Sequence, residues 1–143
     1  MSLLTRKFPD GTLVIRTDLT VSSIASTHPG KKIACDAIWD TGANASAISL
    51  AVARKLGLMP VSTAFFATAN GRCEMPMYMV DLTLPNGHCL KNIMVSGLNL
   101  GVCDALVGMD IITLGDFHLT NGNGMVFKFA IPPESNKDIS HKP

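Results

Sequence analysis

A carboxylate, a hydroxyl and a glycine, Asp40-Thr41-Gly42-Ala43, stand directly after the apolar run Ile33-Ala34-Cys35-Asp36-Ala37-Ile38-Trp39. If that run is a strand, alternation puts Ile38 and Asp40 on one face and Trp39 on the other. Gly42 has no Cβ, so the backbone can come close to the carboxylate and offer its amide to an Asp40 oxygen. Thr41 adds a hydroxyl able to bond neighbouring backbone. A carboxylate held this way suits acid–base work on a water molecule. Taken alone, the triplet reads equally well as an Asx-type turn with Thr and Gly as filler. A second segment, Asp104-Ala105-Leu106-Val107-Gly108-Met109-Asp110-Ile111-Ile112, is an apolar strand running into a glycine and a short helical turn. Asp110 reads as the N-cap of that turn. Asp36 and Asp104 read as turn or edge residues, and Trp39, the sole tryptophan, as a packing anchor.

The elements that must position these groups are short and β-rich. Thr12 to Thr17 and Asp18 to Ala25 read as strands, His28-Pro29-Gly30 breaks the chain, and Lys31 to Trp39 reads as the next strand. Asn-Gly pairs at 70–71, 86–87, 121–122 and 123–124 supply positive φ for tight turns. They predict hairpins from Ser62–Ala69 into Arg72–Leu84, onward into His88–Val95, and from Phe117–Leu119 into Met125–Ile131. One helix is expected. Ser49 caps it, Leu50, Val52, Ala53 and Leu56 give it an apolar face, and Gly57 ends it before Pro60. A shorter turn is expected from Asp110 to Leu114. Residues 1–131 read as one mainly β domain, its first 30 residues being extra strands or an arm, and 132–143 as a polar tail.

Composition bounds the rest. The chain has 143 residues, one domain's worth, with 47% hydrophobic but only 16% charged residues, against about 25% charged in typical domains. No run approaches the roughly 18 consecutive apolar residues of a membrane span. The apolar excess therefore belongs to the core or to a subunit interface. A net charge of +1 without a basic stripe argues against nucleic acid as the partner. The four cysteines lack any Cys-x-x-Cys pair, and the first residues lack an apolar signal region. Reduced thiols in the cytoplasm are expected, acting as small buried hydrophobes. The cysteines and four scattered histidines give no metal-ligand spacing, so no metal or other cofactor is expected.

The ordered pair of segments resembles the retropepsin-like aspartic proteases. The matching pieces are Trp39-Asp40-Thr41-Gly42-Ala43 with Ser46 and Ile48 behind it, then Lys55-Leu56-Gly57-Leu58 and the hairpin around Asn70-Gly71. Leu106-Val107-Gly108-Met109-Asp110 and the closing hairpin through Gly124-Met125-Val126-Phe127 complete the set. The resemblance implies a closed β-barrel of hairpins with a flap and one main α-helix, forming half of a two-fold dimer. It implies an aspartic endopeptidase in which Asp40 meets Asp40 of a second chain, because the chain holds a single Asp-Thr-Gly. Thr41 would then bond across the axis, Gly42 would keep the carboxyls coplanar, and Leu106-Val107-Gly108 would pass behind the loop. Asn44 stands where many retroviral members carry a substrate-binding Asp, and its amide can serve instead. Thr68-Ala69-Asn70-Gly71 with Arg72 matches the flap over an extended peptide.

Two features depart from the retroviral pattern. About thirty residues precede the strand that carries Asp40, and Pro132-Pro133 put interleaved terminal strands in doubt, since proline cannot donate within a sheet. Asp-x-Gly also opens phosphate loops of actin-like ATPases, a fold too large for this length. Haloacid-dehalogenase chemistry wants Asp-x-Asp, and Gly42 stands at the second Asp. The remaining alternative is a dimeric module of the same fold that binds peptides or proteins without cutting. The intact Asp-Thr-Gly weighs against it, because a pure binder has no use for a desolvated carboxylate pair.

Overall fold

In a computed structural model, residues 2–133 are described; the expected tail beyond Pro133 lies outside them. The chain is mainly β. Its strands are β1 (Ser2–Phe8), β2 (Ile15–Ser22), β3 (Lys32–Trp39), β4 (Ala47–Ser49), β5 (Ser62–Thr68), β6 (Gly71–Thr83), β7 (Cys89–Leu98), β8 (Ala105–Val107), β9 (Asp116–Thr120) and β10 (Met125–Ile131). Helix α1 spans Leu50–Leu56 and the single turn α2 spans Met109–Ile112.

The seven-stranded sheet runs β2-β3-β8-β4-β7-β6-β5, and an added β2–β6 pairing joins its next-to-last strand back to its first. Six strands thus pair in a closed circuit, with β5 appended outside it. Strand β6 is long enough to do both jobs: Gly71–Met77 pairs with β5, while Met77–Thr83 pairs with β7. Strands β3 and β8 run parallel, with Trp39 beside Val107. A separate sheet of order β1-β10-β9 covers one side.

Trp39 sits between the two sheets. Its ring is 5% exposed, lies 5.0 Å from Phe127 and 4.9 Å from Phe129, and its Nε1 donates to Thr17 Oγ1 at 2.9 Å. Burial of this size outweighs the Arg16–Asp36 ion pair beside it, whose side chains are 43% and 48% exposed and which contributes at most about 1 kcal/mol. Strand β3 is held by its inward face.

Helix α1 matches its expected signals. Ser49 Oγ accepts from Val52 N at 3.1 Å, and Gly57 closes it in the left-handed region at φ 63°. The hairpins after residue 60 also lie where the Asn-Gly pairs place them, but the mechanism differs. Positive φ is confined to the glycines of these turns, such as Gly71 at 114° and Gly87 at 89°, and their asparagines do not share it. Asn86 instead uses its side chain, accepting from His88 N at 3.2 Å. The one asparagine at positive φ, Asn92, sits at a register shift in β7, where its amide donates to Asp81 Oδ1 at 2.9 Å.

At the N-terminus one strand is added to those expected, and one expected division fails. Residues 2–8 form a strand, paired with β10 from Ser2↔Ile131 to Phe8↔Met125. Residues 15–22 form one strand rather than parts of two, because Ile15, Thr17, Leu19 and Val21 keep facing inward without interruption. The cysteines divide as well: Cys35 and Cys103 are buried, Cys73 and Cys89 exposed, and all four are free.

Candidate active site

Asp40 follows β3 at half-buried depth, on the face of Ile38 and opposite buried Trp39. Its backbone is still in the sheet, since Asp40 N donates to Val107 O at 2.9 Å. The chain then turns, with Ala43 N donating to Asp40 O at 3.1 Å. Gly42 N donates to Asp40 Oδ1 at 2.9 Å, as the sequence suggests. A Cβ on residue 42 would stand 3.2 Å from that oxygen, so a side chain there would press on the carboxylate by a few tenths of an ångström. The Gly42 amide anchors one carboxylate oxygen, and among the described residues the other has no donor within the chain.

Segment 104–110 lies directly behind this loop. Met109 N donates to Ala43 O at 2.8 Å and Asp110 N to Asn44 O at 3.1 Å. Ser46, 1% exposed, gives its hydroxyl proton to Asp110 Oδ1 at 2.6 Å and its amide to Asp110 Oδ2 at 3.0 Å. Ser46 Oγ in turn accepts from Gly108 N at 2.9 Å. Gly108 has no room for a side chain: a Cβ there would meet Ala43 O at 2.8 Å and the Ala45 carbonyl carbon at 2.9 Å. Asp110 is therefore not the N-cap of α2. Gly108 occupies that position without a side-chain bond, and the Asp110 carboxylate reaches across to Ser46. Sequence reasoning missed this pair; the available signal was a serine buried inside Ala45-Ser46-Ala47-Ile48, which needs a partner once burial is assumed.

Thr41, Gly42 and Asn44 are exposed and Ala43 is half-buried. The side chains of Thr41 and Asn44 make no hydrogen bond among the described residues. Thr68, Ala69, Asn70 and Gly71 are all exposed at the tip of the β5–β6 hairpin. Thr68 Oγ1 donates to Gly71 O at 2.8 Å and accepts from Asn70 N at 3.3 Å. The tip is thus bonded within itself, and no hydrogen bond among the described residues ties it to loop 40–46.

Beside Asp40 opens a cavity of about 490 Å³. Val14, Ile38, Trp39, Thr41, Phe117 and Leu119 belong to its lining, and among the described residues Asp40 is the only ionisable one there. Deeper in the sheet, burial pushes the Cys35 thiol up to about 11, helped by the negative charge of Asp104, and burial likewise raises Cys103. These thiols are protonated and weakly nucleophilic at neutral pH.

Comparison with known proteins fits this arrangement. Residues 30–114 match the family described as "gag-polyprotein putative aspartyl protease", which is more than half of the chain. The protein belongs to that family, the retropepsin-like aspartyl proteases. Its fold is similar to a retropepsin-like aspartic protease from Rickettsia conorii, with a TM-score of 0.59 at 19% identity, covering 90% of this chain and 92% of that one. It is also similar to the Simian Foamy Virus (mac) protease, with a TM-score of 0.51 at 16% identity, covering 69% of this chain and 92% of that one. No curated protein matches the chain.

Proposed function

We propose that the protein is an aspartic endopeptidase whose active site forms on the two-fold axis of a homodimer, with one Asp40 from each chain. The observation that carries this reading is the half-anchored carboxylate. Gly42 fixes one oxygen of Asp40 and leaves the other for a partner, on a loop pinned from behind, in a chain with a single Asp-Thr-Gly.

Two carboxyls about 3 Å apart cannot both ionise, an effect for which aspartic proteases are the standing example. The ionised Asp40 takes a proton from a water held between the pair, and the water oxygen bonds to the peptide carbonyl carbon. The protonated Asp40 gives its proton to the carbonyl oxygen, producing a gem-diol. The C–N bond then breaks as the amine nitrogen takes up the dyad's proton, while a gem-diol hydroxyl gives its own proton to the dyad, leaving a carboxylic acid, an amine and a dyad that is again singly protonated. The pair titrates as a unit, with two macroscopic pKa values.

In this reading Thr41 bonds across the axis and Gly42 and Ala43 hold the loop. Asn44 with Thr68, Ala69, Asn70 and Gly71 binds the backbone of an extended peptide. The exposed side chains of Thr41 and Asn44, without a hydrogen bond among the described residues, support these roles.

The test is incubation of wild-type and Asp40→Asn protein with a diverse peptide pool from pH 3 to 7. Cleavage by wild type alone is expected. Equal cleavage by both ends the reading, and cleavage by neither with retained peptide binding favours a binding module.

A further inference from the structure

We infer that Met77, Met79 and Met94 form a binding site for a soft monovalent cation, Cu(I), where β6 meets β7, on the face of the sheet opposite Tyr78 and Val80. The site stands apart from the protease reading and needs only the sheet register and the chemistry of thioethers.

The register puts these side chains together. Met79 and Met94 are direct partners across β6 and β7, and Met77, two residues before Met79, lies opposite Ser96. Opposed residues share a face, and residues two apart on a strand return to it, so the three methionines point the same way. The intervening Tyr78 and Val95 are buried on the other face, as is Val80. Opposed Cβ atoms stand about 5 Å apart, and the next residue on the same face about 7 Å along the strand. A methionine sulfur sits beyond Cβ on an unbranched, rotatable stem, and that reach closes both gaps around one ion. Strand β6 continues the row with Met75, opposite Ala64.

The chemistry of the set selects the ion. Thioethers are soft ligands that favour Cu(I) over hard cations, and the cross-strand partners of this row, Ser62, Ala64 and Ser96, bring no charge. The nearest acidic residue along β6, Asp81, accepts from Asn92 N at 2.9 Å. Methionine ordinarily fills irregular gaps in a core, and two methionines of this chain do so: Met125 belongs to the hydrophobic core and Met109 packs against it. Met77, Met79 and Met94 do neither; the first two are half-buried and Met94 is 39% exposed. The missing metal-ligand spacing of the cysteines and histidines concerns thiolates and imidazoles and does not bear on thioethers. Cys73 is on the same face of β6 but six residues from Met79, about 20 Å along the strand, too far to share the ion.

The experiment uses the full chain carrying Cys73→Ser and Cys89→Ser, which removes both exposed thiols. Cu(I) is delivered without oxygen from a coloured chelator whose absorbance reports the transfer. Ag(I), its redox-silent analogue, is added to protein isotope-labelled at the methionine methyl groups and followed by NMR. The expected result is uptake of one equivalent of Cu(I), with Ag(I) moving the methyl signals of Met77, Met79 and Met94 and leaving those of Met109 and Met125 in place. Met77→Leu, Met79→Leu and Met94→Leu nearly conserve volume, and circular dichroism checks their fold. Each is expected to weaken Cu(I) affinity about tenfold or more, while Met109→Leu binds as the parent does. Uptake that vanishes with the two cysteines overturns the proposal, because thiols then hold the metal. Unchanged affinity in Met79→Leu and Met94→Leu overturns it as well, and so do Ag(I) shifts spread evenly over all the methionine methyls.

Discussion

The loop at 40–46 and the tip of the β5–β6 hairpin carry the two sets of residues singled out for a site, and they are built in opposite ways. The loop is bonded from behind at Asp40, Ala43, Asn44 and Ser46 by residues 60 or more positions later in the chain. The hairpin tip bonds only to itself through Thr68, and β5 is exposed along nearly its whole length. Its main side-chain support is local, the Arg72 guanidinium lying 4.3 Å from the Phe65 ring centre. Long-range bonding resists displacement, while a segment with few buried contacts opens at low free-energy cost. A reacting carboxyl must be placed to a fraction of an ångström, and a cover must move to admit a peptide. The contrast fits those two demands.

Substitutions in each region test that contrast. Asp40→Asn removes the acid–base group and leaves the loop bonds, so kcat for peptide cleavage is expected to fall by about a thousandfold or more with an unchanged melting temperature. Gly108→Ala drives a methyl into the Ala43 and Ala45 carbonyls. It is expected to cost about 1–3 kcal/mol in urea unfolding and to lower kcat with it, because the loop itself is pushed. Asp110→Ala strands the Ser46 hydroxyl and amide and is expected to cost about 1–3 kcal/mol, with Asp110→Asn recovering part of the loss. A loop indifferent to Gly108 and Asp110 would show that the staple is not what holds Asp40. At the hairpin, Thr68→Val breaks the tip bonds and is expected to change stability by no more than about 0.5 kcal/mol while raising KM a few-fold. A large stability loss there would erase the distinction between the two regions.

The smallest effect concerns the cysteines. The folded Cys35 thiol is raised to about 11 from an ordinary 9.0. Below pH 9 it is protonated in both the folded and unfolded chain and stability is unaffected. Between pH 9 and 11 the unfolded chain loses the proton and the folded one keeps it, so stability falls as pH rises. Alkylation followed by mass mapping at pH 8 is expected to modify exposed Cys73 and Cys89 well before Cys35 and Cys103.

Much of this was legible in the order of residues, for physical reasons that can be named. The Asp40–Gly42 contact is local, spanning two residues, and is uncrowded because glycine lacks a Cβ. Helix α1 and the hairpins at Asn70-Gly71 and Asn86-Gly87 are also local decisions of capping and turn chemistry. What escaped was long-range. Strand β1 has one deeply buried side chain, Leu4, and is specified by its register with β10 more than a hundred residues away. The Asp110 carboxylate does accept from Ile111 N in its own turn at 2.9 Å, but its other partner, Ser46, is 64 residues distant and was not legible. The Asp40 cavity could not be foreseen because Leu13 and Val14 read as part of a strand over 12–17 rather than as an exposed bend before β2.

The pairing of β1 with β10 carries a temporal consequence. During synthesis, residues 2–8 leave the ribosome long before residues 125–131, the last strand of the described fold, and wait for them to find their neighbour. Phe127 and Phe129 arrive in the same final stretch, so Trp39, already held through Thr17 and by the pairing of its strand with β2 and β8, lacks two of its aromatic neighbours until then. A chain cut short of that stretch would hold the acid and its loop bonds but leave the far side of Trp39 uncovered.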